Sequence, residues 1–514
     1  MLCREFISWA EKSGARDWPL IPHPANNAIM SNMTEPTFFW HDYETTGADP
    51  MRDRPLQFAG IRTDMNLQPV DDPVMLYCQP PPDSLPHPQA TLITGITPQQ
   101  AQRDGVIEAE FAAAVNEQLA QPGTCGAGYN SLRFDDAVTR HLLYRNFYDP
   151  YAREWQNGNS RWDVIDLARM AFALRPDGIA WPGRDDGSPS FKLEHLAAAN
   201  RLDQKHAHDA LSDVEATIGL ARLLRTRQPR LWDWFFKLRR KRAVLGLLDV
   251  ARMTPLLHVS SRYPANRGCL AMIVPLARHP SRSTEVIVAD LGGNPEDLIR
   301  RDAADIADRI FTPRADLPED VERIGLRTLH VNRSPALAPL ATLKGVDAAR
   351  IGLDVDACLA HAERLRQADG LAEKVRQVYA LASDLPPAED PELALYGGFL
   401  PDGDRPLLER VRATPPDQLN GHDFPFRDTR YPDLLFRYRA RNWPDTLSAA
   451  EHARWETFRR ERLTRDTAVT TLTLDAYFAT IAAMRHAPEC GGREQSLLDH
   501  LEAWGRDLQA GLDA

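Results

Sequence analysis

The sequence predicts an α/β sheet domain with helices packed on it, then a small barrel or sheet domain, then a mostly helical C-terminal region. Three observations predict this order. Short β-forming runs come first and helical periodicity alternates after them as far as Leu224. β character returns between Leu256 and Val331. Past the proline-rich acidic stretch Leu385–Pro391, which reads as a linker, the sequence is helix-periodic through Leu512.

In order along the chain, Thr37-Phe38-Phe39-Trp40 opens the first strand. Phe58–Thr63 and Val74–Tyr77 are the next two, bounded by proline and aspartate. Glu108–Leu119 has helical periodicity with a stop at Pro122-Gly123, and Cys125–Tyr129 is a short strand running into Asn130. Helices are expected over Asp163–Leu174, Phe191–Ala199 and Asp209–Leu224, the last strongly amphipathic. Leu231–Arg242 is aromatic and then basic, a junction helix or one wall of a polyanion groove. The strands Leu257–Ser260, Met272–Val274 and Glu285–Val288 follow. Met1–Met33, with Pro19, Pro22 and Pro24, lacks the pattern of a secretory signal and is expected to be a flexible leader.

At 514 residues the chain exceeds one ordinary core of roughly 100–200 residues, so two to four domains are expected. Hydrophobic residues at 43% and charged residues at 26% fit a globular protein and exclude a disordered or collagen-like one. No stretch approaches the ~18–20 apolar residues of a membrane span. The net charge of −11 excludes binding a polyanion by bulk charge, so any nucleic-acid contact must come from local clusters. Six scattered cysteines without a C-x-x-C pair point to free thiols in a reducing cytoplasm.

Three motifs carry chemistry. Asp42-Tyr43-Glu44 lies at the end of the first strand, where residues i and i+2 share a face. Adjacent carboxylates repel, and a hard divalent cation bound through oxygen removes that cost. Thr45-Thr46-Gly47 adds hydroxyls and a glycine where backbone can approach a substrate. Second, Tyr129–Asp136 turns at Asn130 and delivers Asp135 to the head of a helix. Third, in His206–Asp213, Asp213 follows His208 by a little over one helical turn, and His208 can exchange a proton near neutral pH. Asp136 and Asp209 read as supporting or helix-capping carboxylates.

Together, in this order, the motifs resemble those of the DEDDh family of 3′→5′ exonucleases, and within it the bacterial exodeoxyribonuclease I family. H-D-Y-E-T at His41–Thr45, L-I-T-G-I-T-P at Leu92–Pro98, R-N-F-Y-D-P-Y at Arg145–Tyr151 and S-R-W-D at Ser160–Asp163 carry the likeness. Leu395–Phe399 and Phe436–Asn442 extend it into the tail. The likeness covers nearly the whole chain from Thr37 onward, after the expected leader at 1–34, and implies an RNase H-like exonuclease domain over 35–226, an SH3-like β domain over 229–384 and a helical domain over 388–514. It further implies two Mg²⁺ ions, with Mn²⁺ able to substitute, held by Asp42, Glu44, Asp135 and Asp213. His208 would accept the proton of the attacking water, and the 3′-terminal nucleotide would leave as a 5′-monophosphate, in DNA repair and recombination. Leu92–Ile96 would pack beside the terminal base. Another DEDDh exonuclease, for proofreading or RNA 3′-end trimming, is the alternative. Single-stranded DNA and the acidic tail of single-stranded DNA-binding protein would be partners of a cytoplasmic monomer.

After Asp135, arginines interleave with aromatics, the pattern of a cationic track with stacking platforms. Tyr151 and Trp155, one helical turn apart among arginines, are the expected stacking residues. Arg140, Arg169 and Lys192 are expected to touch the strand, as are Glu44 and Thr45 beside the carboxylates.

Overall fold

The structure, a computed structural model, describes residues 35–202, 209–319, 321–382, 388–488 and 490–513. The expected leader and His208 lie outside the described residues. The rest divide into two compact units: 36–164 with 192–223 and 385–514, and 165–191 with 224–384.

The first unit is built on a five-stranded sheet in the order β3-β2-β1-β4-β5. Its strands are β1 (Thr37–Thr45), β2 (Pro55–Thr63), β3 (Val74–Tyr77), β4 (Thr124–Gly128) and β5 (Ser160–Asp163). β1 runs antiparallel to β2 and parallel to β4. Helices α1 (Pro88–Thr94), α2 (Pro98–Asp104), α3 (Glu108–Leu119) and α4 (Asp135–Arg145) join these strands; α5 (Val164–Leu174), which starts directly after β5, falls in the second unit from Ile165 on. The helix expected from Asp163 therefore begins one residue later, because Asp163 completes a strand paired with Gly128. The short α1 and α2 have too few residues to show periodicity and escape a sequence reading. α6 (Leu193–Ala199) and α7 (Ala210–Arg227) follow, α6 starting two residues after the expected Phe191.

β4 pairs with β1 only over Thr37–Trp40, so β1 runs on past the end of β4 from His41. That half of β1, paired with β2 alone, carries Asp42 and Glu44 half-buried, with Tyr43 buried between them. Tyr43 joins a core of Phe39, Phe58, Phe111, Val115, Val138 and Leu142. The alternation of a strand thus turns the two carboxylates one way and the apolar ring the other.

C-terminal helices complete this unit: α14 (Arg405–Ala413), α15 (Tyr431–Asn442), α16 (Ala449–Thr464), α17 (Leu474–Arg485) and α18 (Gly492–Asp513). α14 and α15 pack against the end of α4 through Leu408, Tyr431 and Tyr438 on Tyr144 and Phe147, while α16, α17 and α18 share a core with Leu85. A buried ion network ties them in as well. Asp83, fully buried, pairs with Arg441 at 2.7 Å and Arg462 at 2.6 Å. Glu392 pairs with Arg441 at 2.7 Å and Arg437 at 3.1 Å, and also with Arg54. The guanidinium groups hold the carboxyls of both Asp83 and Glu392 well below the usual carboxylate range, against the opposing effect of burial.

The second unit holds an antiparallel sheet in the order β10-β6-β7-β8-β9. The strands are β6 (Leu256–Val259), β7 (Leu270–Arg278), β8 (Glu285–Asp290), β9 (Leu326–His330) and β10 (Ala336–Pro339). The helices α10 (Glu296–Arg300), α11 (Ala303–Phe311), α12 (Val355–Arg366) and α13 (Leu371–Ala380) accompany them. The expected single junction helix is instead two, α8 (Pro229–Lys237) and α9 (Lys241–Leu247). Arg240 caps α9 in an extended conformation, which breaks the helix within the basic run, while Leu231, Trp232 and Phe235 are buried. Of the six cysteines, Cys78, Cys125, Cys269, Cys358 and Cys490 are described, and all five are free thiols.

Candidate active site

Three separate elements bring carboxylates together at the free end of β1. Asp42, Glu44 and Asp213 each offer an oxygen, and these lie within 4.8 Å of one another. Asp213 stands in the first turn of α7. Asp135 opens α4 and accepts the backbone N–H of Tyr43 at 3.1 Å, the amide that β4 would have taken had it run further. The Tyr43 hydroxyl meets Thr139 at 3.0 Å, fastening the same strand to the next turn of α4.

This crowding is visible in the acidities. Burial first, then the charges of Asp135, Glu44, Asp213 and Asp209, hold the Asp42 carboxyl well above its ordinary value. Burial and then Asp213, Asp135 and Asp209 push Glu44 up to about 9. Burial likewise raises Asp135, against the opposing effect of the amide hydrogen bonds it accepts. A set of oxygen donors whose mutual repulsion is unrelieved fits a hard divalent cation.

Neighbouring groups fix the set. The Asp163 carboxylate accepts from the Asn130 and Leu132 amides at 2.9 and 3.2 Å, pinning the turn that leads to Asp135. Asn130 has φ 62°, a left-handed conformation that asparagine tolerates. A Cβ on Gly128 would come within 2.8 Å of the His41 carbonyl, so only glycine fits at the end of β4. Gln57, opposite Glu44 on β2, donates to Tyr77 at 3.0 Å and accepts from the Ala210 amide at 3.3 Å, tying the sheet to the start of α7. Asp209 accepts the Ser212 amide at 3.2 Å and so caps α7, as read from the sequence. Asp136 is a supporting carboxylate, paired with Arg153 and Arg161 at 2.6 Å each.

The other expected site residues are placed as follows. Thr45 is buried and its hydroxyl donates to the Gly47 carbonyl at 2.6 Å. The missing Cβ of Gly47 makes room for the Asp53 carboxylate, 2.4 Å from where it would sit, rather than for substrate. Tyr151 and Trp155 do not share an α-helix: a 3₁₀ turn, Ala152–Glu154, separates them. Trp155 is 65% exposed and Tyr151 half-buried, while Tyr144, Phe147 and Trp162 are core residues. Arg140 is nearly buried and paired with Glu154 at 2.7 Å; Arg169 is nearly buried and paired with Asp166 at 2.8 Å. Each thus carries an acidic partner, Asp166 one helical turn before Arg169 and Glu154 beyond the end of α4 for Arg140. Lys192, just before α6, is largely exposed and lies 3.2 Å from Glu194. Gln57 and Asp163 escaped the sequence reading; the i+33 separation of Asp163 from Asn130 leaves no local signal.

Comparison with known proteins agrees with this architecture. Residues 39–221 match the exonuclease family, 239–381 the Exonuclease I SH3-like domain and 389–508 the Exonuclease I C-terminal domain. Exodeoxyribonuclease I of Escherichia coli is 46% identical over 428 residues, covering 83% of this chain and 90% of that protein. The structure of E. coli Exonuclease I in complex with a dA16 oligonucleotide superposes with a TM-score of 0.88 at 43% identity, covering 92% of this chain and all of that one. An ExoI/SSB-Ct complex gives a TM-score of 0.85 at 42% identity, with 92% and 100% coverage. With the carboxylate cluster, the two sheets and all three matched segments in the same order, the chain belongs to the exodeoxyribonuclease I family.

Proposed function

We propose that this chain is a 3′→5′ exonuclease that degrades single-stranded DNA to 5′-mononucleotides by two-metal-ion phosphodiester hydrolysis, in DNA repair and recombination. The observation that supports it is the cluster of Asp42 and Glu44 from β1 with Asp213 from α7, beside which Asp135 on α4 takes the Tyr43 amide and adds its charge, within a chain of this family. The SH3-like and C-terminal matches favour this activity over proofreading or RNA trimming, which need little beyond the nuclease domain.

Asp42, Glu44, Asp135 and Asp213 would hold the ions, Mg²⁺ first and Mn²⁺ as its substitute. Bound there, divalent ions supply positive charge to the attacking and leaving oxygens of an in-line displacement. His208 accepts the proton of the attacking water. The Tyr43 amide keeps Asp135 aimed, and Gln57 fixes the start of the helix that carries Asp213. Tyr151 and Trp155 stack bases behind the scissile end, and Glu44, Thr45, Arg140, Arg169 and Lys192 complete the strand contacts. Single-stranded DNA is the substrate and the C-terminal tail of single-stranded DNA-binding protein a partner, as in the oligonucleotide and SSB-Ct complexes of the relatives. The protein acts as a cytoplasmic monomer, with domains over 35–226, 229–384 and 388–514. Among the described residues no helix is long and apolar enough to cross a membrane.

The test is degradation of 3′-labelled single-stranded DNA, duplex DNA and RNA, with and without chelator. Single-stranded DNA should be consumed from its labelled end only when Mg²⁺ or Mn²⁺ is free, and Asp42→Ala should consume none. Chelator-resistant hydrolysis, or activity in Asp42→Ala, would overturn the assignment.

A further inference from the structure

Between α4 and β5 five charged side chains form one continuous chain of ion pairs. Asp136, in the first turn of α4, binds Arg153 and Arg161, each at 2.6 Å. Arg161 also reaches Glu154 at 2.9 Å. Glu154 in turn grips Arg140 at two points, Nε at 2.7 Å and Nη2 at 3.0 Å. All five side chains are nearly or wholly removed from water. The Arg140 guanidinium lies 5.4 Å from the centre of the Tyr151 ring, and the residue after Glu154 is the exposed Trp155.

Two features of this chain go beyond fastening a surface excursion. Asp136 and Arg140 are four residues apart on one helix and therefore share a face. Residues 153 and 154 are tied to that face at both places, so the excursion cannot pivot about α4 as a single tether would let it. Asp135 sits one residue before the first attachment point. Burying five charges costs desolvation that pairing must return, so a loop that needed only to stay folded would be held more cheaply by apolar packing.

We propose that Glu154 is a positioning residue that locks the Tyr151–Trp155 platform to the helix presenting Asp135. It thereby sets the spacing between stacked bases and the phosphodiester at the carboxylates, an inference that rests on the proposed function above. Glu154 touches neither strand nor reacting atoms; it acts through Arg140, Arg161 and the backbone of Trp155.

A double-mutant cycle in chelator, reading affinity for a fluorescent single strand of about 16 nucleotides, separates this role from general support of the fold. Trp155→Ala should weaken binding about 5- to 150-fold, the range for loss of one stacked base. Glu154→Gln, nearly isosteric, should weaken it about fivefold or more in the wild-type background. In the Trp155→Ala background the same change should add less than about twofold, since the platform it positions has gone. Glu154→Asp, which keeps the charge, should recover most of the affinity; if Glu154→Gln does not fold, Arg161→Lys, which loosens the same carboxylate, takes its place in the cycle. Equal losses in both backgrounds would overturn the inference and leave the site reading intact. Unchanged binding by Trp155→Ala would overturn the site reading and the inference with it.

Discussion

Glu44→Gln should make the metal-free protein more stable while removing its activity. Glu44 is held at about 9 by burial and by the carboxylates of Asp213, Asp135 and Asp209, against an ordinary value of 4.5. Above pH 4.5 the unfolded chain releases this proton and the folded chain keeps it, so the unfolded state binds fewer protons and stability falls as pH rises. At 1.36 kcal/mol for each pH step, the loss is about 3 kcal/mol at pH 7 and continues until the folded group itself ionises near 9. Glutamine carries no proton to lose and avoids that penalty. Urea denaturation in chelator should therefore show Glu44→Gln more stable than wild type by up to about 3 kcal/mol at pH 7, with the two converging near pH 4.5. Saturating Mg²⁺ should reverse the order, because the wild type gains binding free energy that the variant forgoes. A variant no more stable than wild type in chelator at pH 7, or a wild type whose metal-free stability rises between pH 5 and pH 8, would refute the reasoning.

Three further outcomes are expected. His208→Ala should lower saturated turnover ~10²–10⁴-fold, the size of a general-base effect, and leave strand affinity in chelator unchanged; steady-state kinetics with anisotropy titration checks both. Trp155→Ala should leave the melting temperature unmoved, since its side chain is 65% exposed, so any loss of DNA affinity belongs to the strand; a calorimetric scan settles it. Asp163→Asn turns an amide N–H₂ toward one of the two backbone donors at Asn130 and Leu132, costing about 1–3 kcal/mol for the donor left unmet; equilibrium unfolding should show that loss together with weaker metal binding by titration calorimetry.

What could be read from the sequence was local. The side chains of Asp42 and Glu44 share a face because a strand has period 2, and Asp135 and Asp209 stand where a turn hands over to a helix. These relations hold within a few residues, and the structure places all of them as expected. The relations it did not show depend on how the chain folds between elements. Arg140 is read as a strand contact with no sign of the Glu154 carboxylate set against it beyond the end of α4. The Tyr151–Trp155 spacing suggests a helical face, yet the chain there follows the demands of Asp149, which accepts the Tyr151 and Ala152 amides. Gly47 looked like a place for substrate and serves Asp53 instead. Charge partners and backbone detours are set by where strands and helices meet, and no residue type announces them.

The buried ion network has a consequence for how the protein is made. Arg54 and Asp83 lie in the first fifth of the chain, yet the guanidinium and carboxylate groups that satisfy them belong to Glu392, Arg441 and Arg462. During synthesis the nuclease sheet emerges long before those partners exist. Leaving one buried charge unmatched costs about 3–5 kcal/mol, a large part of a typical domain's stability. A polypeptide released before Arg441 would thus hold every proposed metal-binding carboxylate and still fail to close the sheet's surroundings around them. The nuclease sheet and the C-terminal helices therefore settle as one cooperative body, in which charges made early are matched only by groups made last.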